Sequence, residues 1–251
     1  MTATGLLTAG QDVNLYHGGR SSDLCPRCRH GRNTKSGPFV HGLKELTDSE
    51  KLRQVLARVA HNLQQDKDLI EKNPEQAYFM MGALEAQVAG EQYFLISSSG
   101  RQGLVPWIET KHLDGIPYHP GKWEIVNSQV PETPDRGWTT LMGQKADLTP
   151  ICEALREGQQ CDKVIGQPCA AIKLLRTLAD RNKNGRPINR LYMSEMVYVH
   201  GTAKVPQNLR AYHGNGNTCS WTAHSCDKCE KRIPYLLCTV PLDHIEAEAP
   251  Q

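Results

Sequence analysis

The sequence predicts an α/β chain in which helices pack on a mixed sheet. Three observations carry this expectation. Beyond residue 90 the apolar pattern changes period repeatedly, in the order strand, strand, helix, strand, helix, strand. Two of those helices begin on cysteine, Cys169 on one and Cys226 with Cys229 on the other. The chain has 251 residues with 39% hydrophobic content, enough for one large domain or a domain with a substantial extension.

The elements follow in order. Residues 1–46 are rich in Gly, Ser, Arg and His and read as a loop-rich N-terminal extension, and 47–251 as the main domain. The segment "TDSEKLRQVLARVAHNLQQDKDLIEKN" carries Leu52, Val55, Leu56, Val59, Leu63 and Leu69 at helical spacing, with Thr47 or Asp48 as its cap. "PEQAYFMMGALEAQVAG" reads as a second helix with Pro in its first turn and Gly90 at its end. "EQYFLISSSGR" reads as a strand, with "GLVPWIETK" as its hairpin partner. Residues 112–145 are rich in Pro and Gly and read as a long insertion. "DLTPICEALREGQQC" holds a short helix, and a further helix runs from near Pro168 to about Asp180 until "RNKNGRP" breaks it. "NRLYMSEMVYVHG" is the next strand, "CDKCEKRIPYL" a short helix, "LLCTV" a last strand, and 241–251 a tail.

The apolar runs are far too short to cross a membrane. No basic segment followed by an apolar stretch opens the chain, so no secretory signal is expected and the cytoplasm is the default location. The formal charge is only +2, but residues 173–232 hold eleven Lys or Arg and four acids, a local +7. That asymmetry points to a polyanionic partner or to a solvated basic face.

Nine cysteines, without a signal peptide, favour metal binding or catalysis over a full disulfide framework. A helix N-terminus favours thiolate, because its unpaired N–H groups stabilise negative charge. Two such helix starts facing each other would present Cys169, Cys226 and Cys229 to one Zn²⁺. Three protein ligands leave the fourth position open, which is the catalytic arrangement. A closed site built from Cys226 and Cys229 with Cys219 and Cys238 is the alternative, with His213 and His224 as further donors. Cys25 and Cys28, with His17, His30 or His41, form a possible second zinc site, and Cys152 and Cys161 read as structural.

This pattern resembles the zinc-dependent cytidine-deaminase-like superfamily. Cys169-Ala170-Ala171 is similar to the Cys-Ala-Glu form of its first motif, and "SCDKC" to its second, with Ser225 in place of the usual Pro. "PCAAIKLL" is particularly similar to bacterial toxin-type deaminases that act on nucleic acid. The resemblance covers about 150 residues and implies a three-layer α/β/α fold with a mixed central sheet. It implies Zn²⁺ on the three cysteines, DNA or RNA as substrate with the base single-stranded or flipped, and conversion of cytosine to uracil. It also implies an effector delivered into a target cell as the alternative location. Ser98, Trp221 and His224 stand where substrate contacts would be sought, with a plain turn or a core aromatic as the ordinary alternatives.

Ala171 stands where the family carries its general acid/base glutamate, so the chain is expected to be nearly inactive through a Glu→Ala change at 171. Glu85 and Glu195 are set aside as replacement acids because neither lies at the helix start. The rival functions are an acid-less, zinc-stabilised nucleic-acid-binding or effector protein, and a deaminase of free nucleosides.

Overall fold

The computed structural model describes residues 16–18, 35–36, 39–40, 45–68, 78–100, 108–155, 157–200, 220–221, 226–238 and 240. Within them the strands are β1 (Tyr16–Gly18), β2 (Lys35–Ser36), β3 (Phe39–Val40), β4 (Glu45–Thr47), β5 (Tyr78–Val88), β6 (Glu91–Ser98), β7 (Glu124–Val126), β8 (Ile188–Val199) and β9 (Ser220–Trp221). The helices are α1 (Glu50–Gln65), α2 (Thr149–Glu153), α3 (Cys161–Ile165), α4 (Ala170–Arg181) and α5 (Asp227–Leu237), with a 3-10 turn at Thr110–Leu113.

The architecture is mixed α/β. The main sheet runs β1-β4-β8-β5-β6-β7, and β9 adds to β8. β5 is antiparallel to both β6 and β8, whereas β4/β8 and β6/β7 are parallel. Helix α1 covers one face, packing Leu52, Val55, Leu56, Val59 and Leu63 against Met81, Ala83, Ile96 and Met196. Helices α4 and α5 cover the other, packing Leu174, Leu175, Leu178, Ile233 and Leu236 against Leu84, Ala86, Leu95 and Met193. Successive strand residues therefore feed opposite cores, as the period of two requires.

Helix α1 forms as its periodicity predicts, with Glu50 in the first turn favoured by the helix dipole. Ser49 is the capping residue, and its side chain makes no cap hydrogen bond. The Ser194 hydroxyl on β8 instead accepts the Ser49 N–H at 3.2 Å and donates to Asp48 at 2.6 Å. Asp48 also pairs with Arg53 at 3.2 Å, so a buried polar network ties the start of α1 to the sheet. At the far end of α1 the Asp66 carboxylate takes Lys111 and His112, each at 2.9 Å. Burial pushes Asp66 up, but these two hydrogen bonds and charges outweigh it and hold the carboxyl at about 2, against 3.8 ordinarily. A folded-state pKa below the unfolded one stabilises the fold above the unfolded value, and that stability is lost as pH falls from near 4 towards 2. Acid melting curves should show a limb in that window, flattened in Asp66→Asn.

Three expectations are corrected. "PEQAYFMMGALEAQVAG" is not a helix where it is described, because Tyr78–Val88 is the long central strand β5. A central strand buried on both faces reads as a continuous apolar run, and Met, Ala, Leu, Glu and Gln are good helix formers. Gly90 is not a helix end: with Ala89 at φ 49° and Gly90 at φ 87°, it forms the two-residue turn from β5 to β6. The hairpin partner of β6 is thus β5. Of the expected partner "GLVPWIETK", the described part, from Ile108, forms a bend and the start of the 3-10 turn. The last strand "LLCTV" is also absent among its described residues. Leu236 and Leu237 instead close α5, both fully buried one turn from Ile233, and Cys238 ends the helix.

Residues 112–145 contribute structure to the main unit. β7 extends the sheet beside β6, and Trp138 is only 2% exposed within the core under α4. No described helix is long and apolar enough to cross a membrane.

Candidate metal centre

Both helices of the α4/α5 layer begin on a cysteine in extended backbone. Cys169 is the capping residue of α4 and Cys226 that of α5. Cys229 lies one turn into α5, its N–H bonded to the Cys226 carbonyl at 2.7 Å. The three Sγ atoms lie within 4.8 Å of one another, with Cys229 buried and the other two half-buried. The sequence-predicted trio is therefore brought together by two helix starts on one side of the sheet.

Hydrogen bonds among the three thiols push their acidities apart. The thiol hydrogen bonds of Cys169, then of Cys229, hold Cys226 far down, to about 2 against 9.0 ordinarily. Cys169 is pushed up to about 12, first by its hydrogen bond to Cys226. Cys229 is raised by Cys169, by Cys226 and by its burial. A divalent metal would take the place of thiol protons, so its binding releases protons.

A buried cation completes the cluster. Arg232 is 0% exposed, and its guanidinium lies 3.0 Å from Cys169 Sγ and 3.9 Å from Cys229 Sγ. Its other N–H groups donate to the carbonyls of Lys228, Ile165 and Gln167. Lys228 adds a bond to the Gln167 side chain at 2.9 Å. The start of α5 is thereby tied to the segment that delivers Cys169. The donor set fits a divalent ion: three thiolates and a dication leave one negative charge, which the guanidinium balances. The sequence reading missed Arg232, although its place three residues after Cys229 puts it on the same helix face.

The remaining candidates are placed as follows. Ala171 is the second residue of α4 and is fully buried. Ser98 is buried and pairs in register with Met81, on the α1 face, and its carbonyl accepts the Lys173 ammonium at 2.9 Å. Trp221 lies in β9, paired with Met196 at the same end of the sheet. His224, Cys219, His213, Cys25 and Cys28 lie outside the described residues. Cys238 stands at the other end of α5 from Cys226, about 15–20 Å away by helix rise, so the two cannot share one ion. Cys152 and Cys161 are joined as a disulfide between α2 and α3. His200 is buried with its Nδ1 at 2.6 Å from the Tyr198 hydroxyl.

Several cations of the basic stretch among the described residues have partners within the chain. Lys173 is buried on the carbonyls of Ser98 and Gly100. Arg176 donates to Gln129 and Gly137 and lies over the Trp138 ring. Arg181 pairs with Glu124, Arg186 with Glu91, and Arg232 with the cysteine cluster. These five of the eleven cations thus serve packing and pairing, and Lys204 and Arg210 lie outside the described residues. Beside the start of α4, a polar cavity of about 180 Å³ is lined by Gly100, Ser128, Gln129, Glu132, Pro168 and Lys173.

No family model, no curated protein and no solved structure matches the chain.

Proposed function

We propose that the chain is a zinc-dependent hydrolytic deaminase of nucleobases, acting on cytosine in nucleic acid. The observation that carries this reading is the convergence of Cys169, Cys226 and Cys229 from two helix starts, with three thiols and no fourth protein donor among the described residues. Zinc held there would acidify a water near neutral pH and supply the nucleophile for the amidine carbon. The helix order supports the resemblance as well: a β5–β6 hairpin, then α4 with the first thiol, then β8, then α5 with the other two. Both thiol-bearing helices lie on one face, and α1 covers the other.

This chain's residues have definable tasks. The N-terminal turns of α4 and α5 hold the thiols, and Arg232 fixes their approach and charge. Position 171 is the place for a proton carrier: it lies in the first turn of α4, where the helix dipole favours a carboxylate. Ala171→Glu should yield uracil from a cytosine-containing substrate in a comparison of single-stranded DNA, duplex DNA, RNA and free cytidine. Product from cytidine alone would move the assignment to a nucleoside deaminase. No product from any of them, with zinc bound, would remove the deaminase reading. The full burial of Ala171 favours one rival in particular, a zinc-stabilised binding protein, in which the same metal content accompanies no turnover.

A further inference from the structure

We infer that Glu195 is the resident proton carrier of this site, so that the chain with alanine at 171 is not without a catalytic acid. The inference rests on the deaminase reading above. Glu195 lies on β8, and the register of the sheet sets its surroundings. Leu191 and Met193 on β8 pack into the core beneath α4 and α5, whereas Tyr192, Met196 and Tyr198 pack beneath α1. Alternation therefore turns Glu195 to the face that carries the three cysteines.

Across the antiparallel pair Glu195 stands opposite Gly82, and Gly82 opposite Ser97 on β6. At Gly82 the first turns of α4 approach the sheet closely: a Cβ built there would be 3.3 Å from the Cβ of Ala170 and 2.9 Å from Leu174. Directly opposed residues in such a pair have their Cβ atoms about 5 Å apart. The Glu195 side chain thus starts about one residue's width from the first turn of α4, immediately after Cys169. It also starts from β8, which pairs with β5 beneath α4 on one side and, one residue on at Met196, with Trp221 of β9, five residues before Cys226, on the other. Glu195 is 4% exposed.

Glu85, the other carboxylate of the central strands, fails the same test. It pairs with Phe94 and Tyr192, which belong to the α1 side. The sequence order hides this difference, because Glu195 lies 26 residues after Cys169 and only the β5/β8 register brings it back.

The reaction balances with one carboxylate. Water adds its oxygen to the amidine carbon, forming the C–O bond, and Glu195 accepts the released proton and passes it to the ring nitrogen. The second water proton travels by the same carboxylate to the exocyclic nitrogen, the C–N bond breaks, and ammonia leaves. Glu195 ends as it began.

The test uses the full zinc-loaded chain and three variants, Glu195→Gln, Ala171→Glu and the two combined, assayed for uracil from cytosine substrates with zinc content measured in each. The expected result is product from the unaltered chain, lost about 10²–10⁴-fold in Glu195→Gln with zinc retained, and regained in the combined variant. A second readout is independent of turnover. A new carboxylate at 171 beside Glu195 should lower the melting temperature, and Glu195→Gln should relieve that loss beyond additivity. No product from the unaltered chain, with equal product from Ala171→Glu whether or not Glu195 is changed, overturns the assignment and leaves the deaminase reading standing. Strictly additive melting temperatures also overturn it. No product from any form sinks the deaminase reading itself.

Discussion

Arg232→Met should cost about 3–5 kcal/mol, the range for removing one partner from a buried charged cluster, and lower the melting temperature by of order 10 °C. The side chain is wholly buried and holds three carbonyls besides the sulfur of Cys169. Methionine would fill much of the volume, so packing is not the main loss. The carbonyls of Ile165 and Gln167 would lose their guanidinium donor, and the cysteine cluster would lose its counter-charge. Unsatisfied buried acceptors cost about 1–3 kcal/mol each, which sets the scale independently. Arg232→Lys should recover only part, since the three N–H donors of an ammonium cannot serve three carbonyls and the Cys169 sulfur at once. Thermal melting with zinc saturating checks the stability effect, and zinc titration checks whether affinity falls with it.

Gly82→Val should loosen α4 from the sheet and destabilise the fold by about 2–3 kcal/mol. The first added carbon alone would sit 2.9 Å from Leu174 Cδ1 and 3.3 Å from Ala170 Cβ. Leu174 can turn its methyl aside, but Ala170 can retreat only by moving the first turn of α4. Two further methyls make that movement unavoidable. The preference of valine for strands is worth at most about 1 kcal/mol and does not offset the overlap. Because Ala170 follows Cys169 directly, the variant should also weaken zinc binding. Unchanged zinc affinity in a destabilised Gly82→Val would show that the helix start does not depend on this contact.

The parts of the fold that were legible share a reason. Helices α1 and α4 keep a helical period over their observed spans, and the start of α1, the whole of α4 and strand β8 were placed within a few residues, while Leu69, also expected in α1, lies outside the described residues. The cysteine trio was legible because Cys-x-x-Cys and a second helix-start cysteine restrict both donor type and geometry. Strand β5 was not legible, since its composition favours helix and only pairing on both sides makes it a strand. Arg232 and Glu195 were hidden for a different reason. Their importance lies in what stands beside them, the carbonyls of 165 and 167 in one case and the row Ser97–Gly82–Glu195 in the other. No local pattern announces such neighbours.

The metal content of the purified chain, set against that of Cys169→Ser, tests the central claim most directly. An open site on Cys169, Cys226 and Cys229 predicts about one zinc per chain, lost on changing Cys169. Zinc retained in Cys169→Ser but lost on changing Cys219 or Cys25 would place the metal elsewhere and contradict the account.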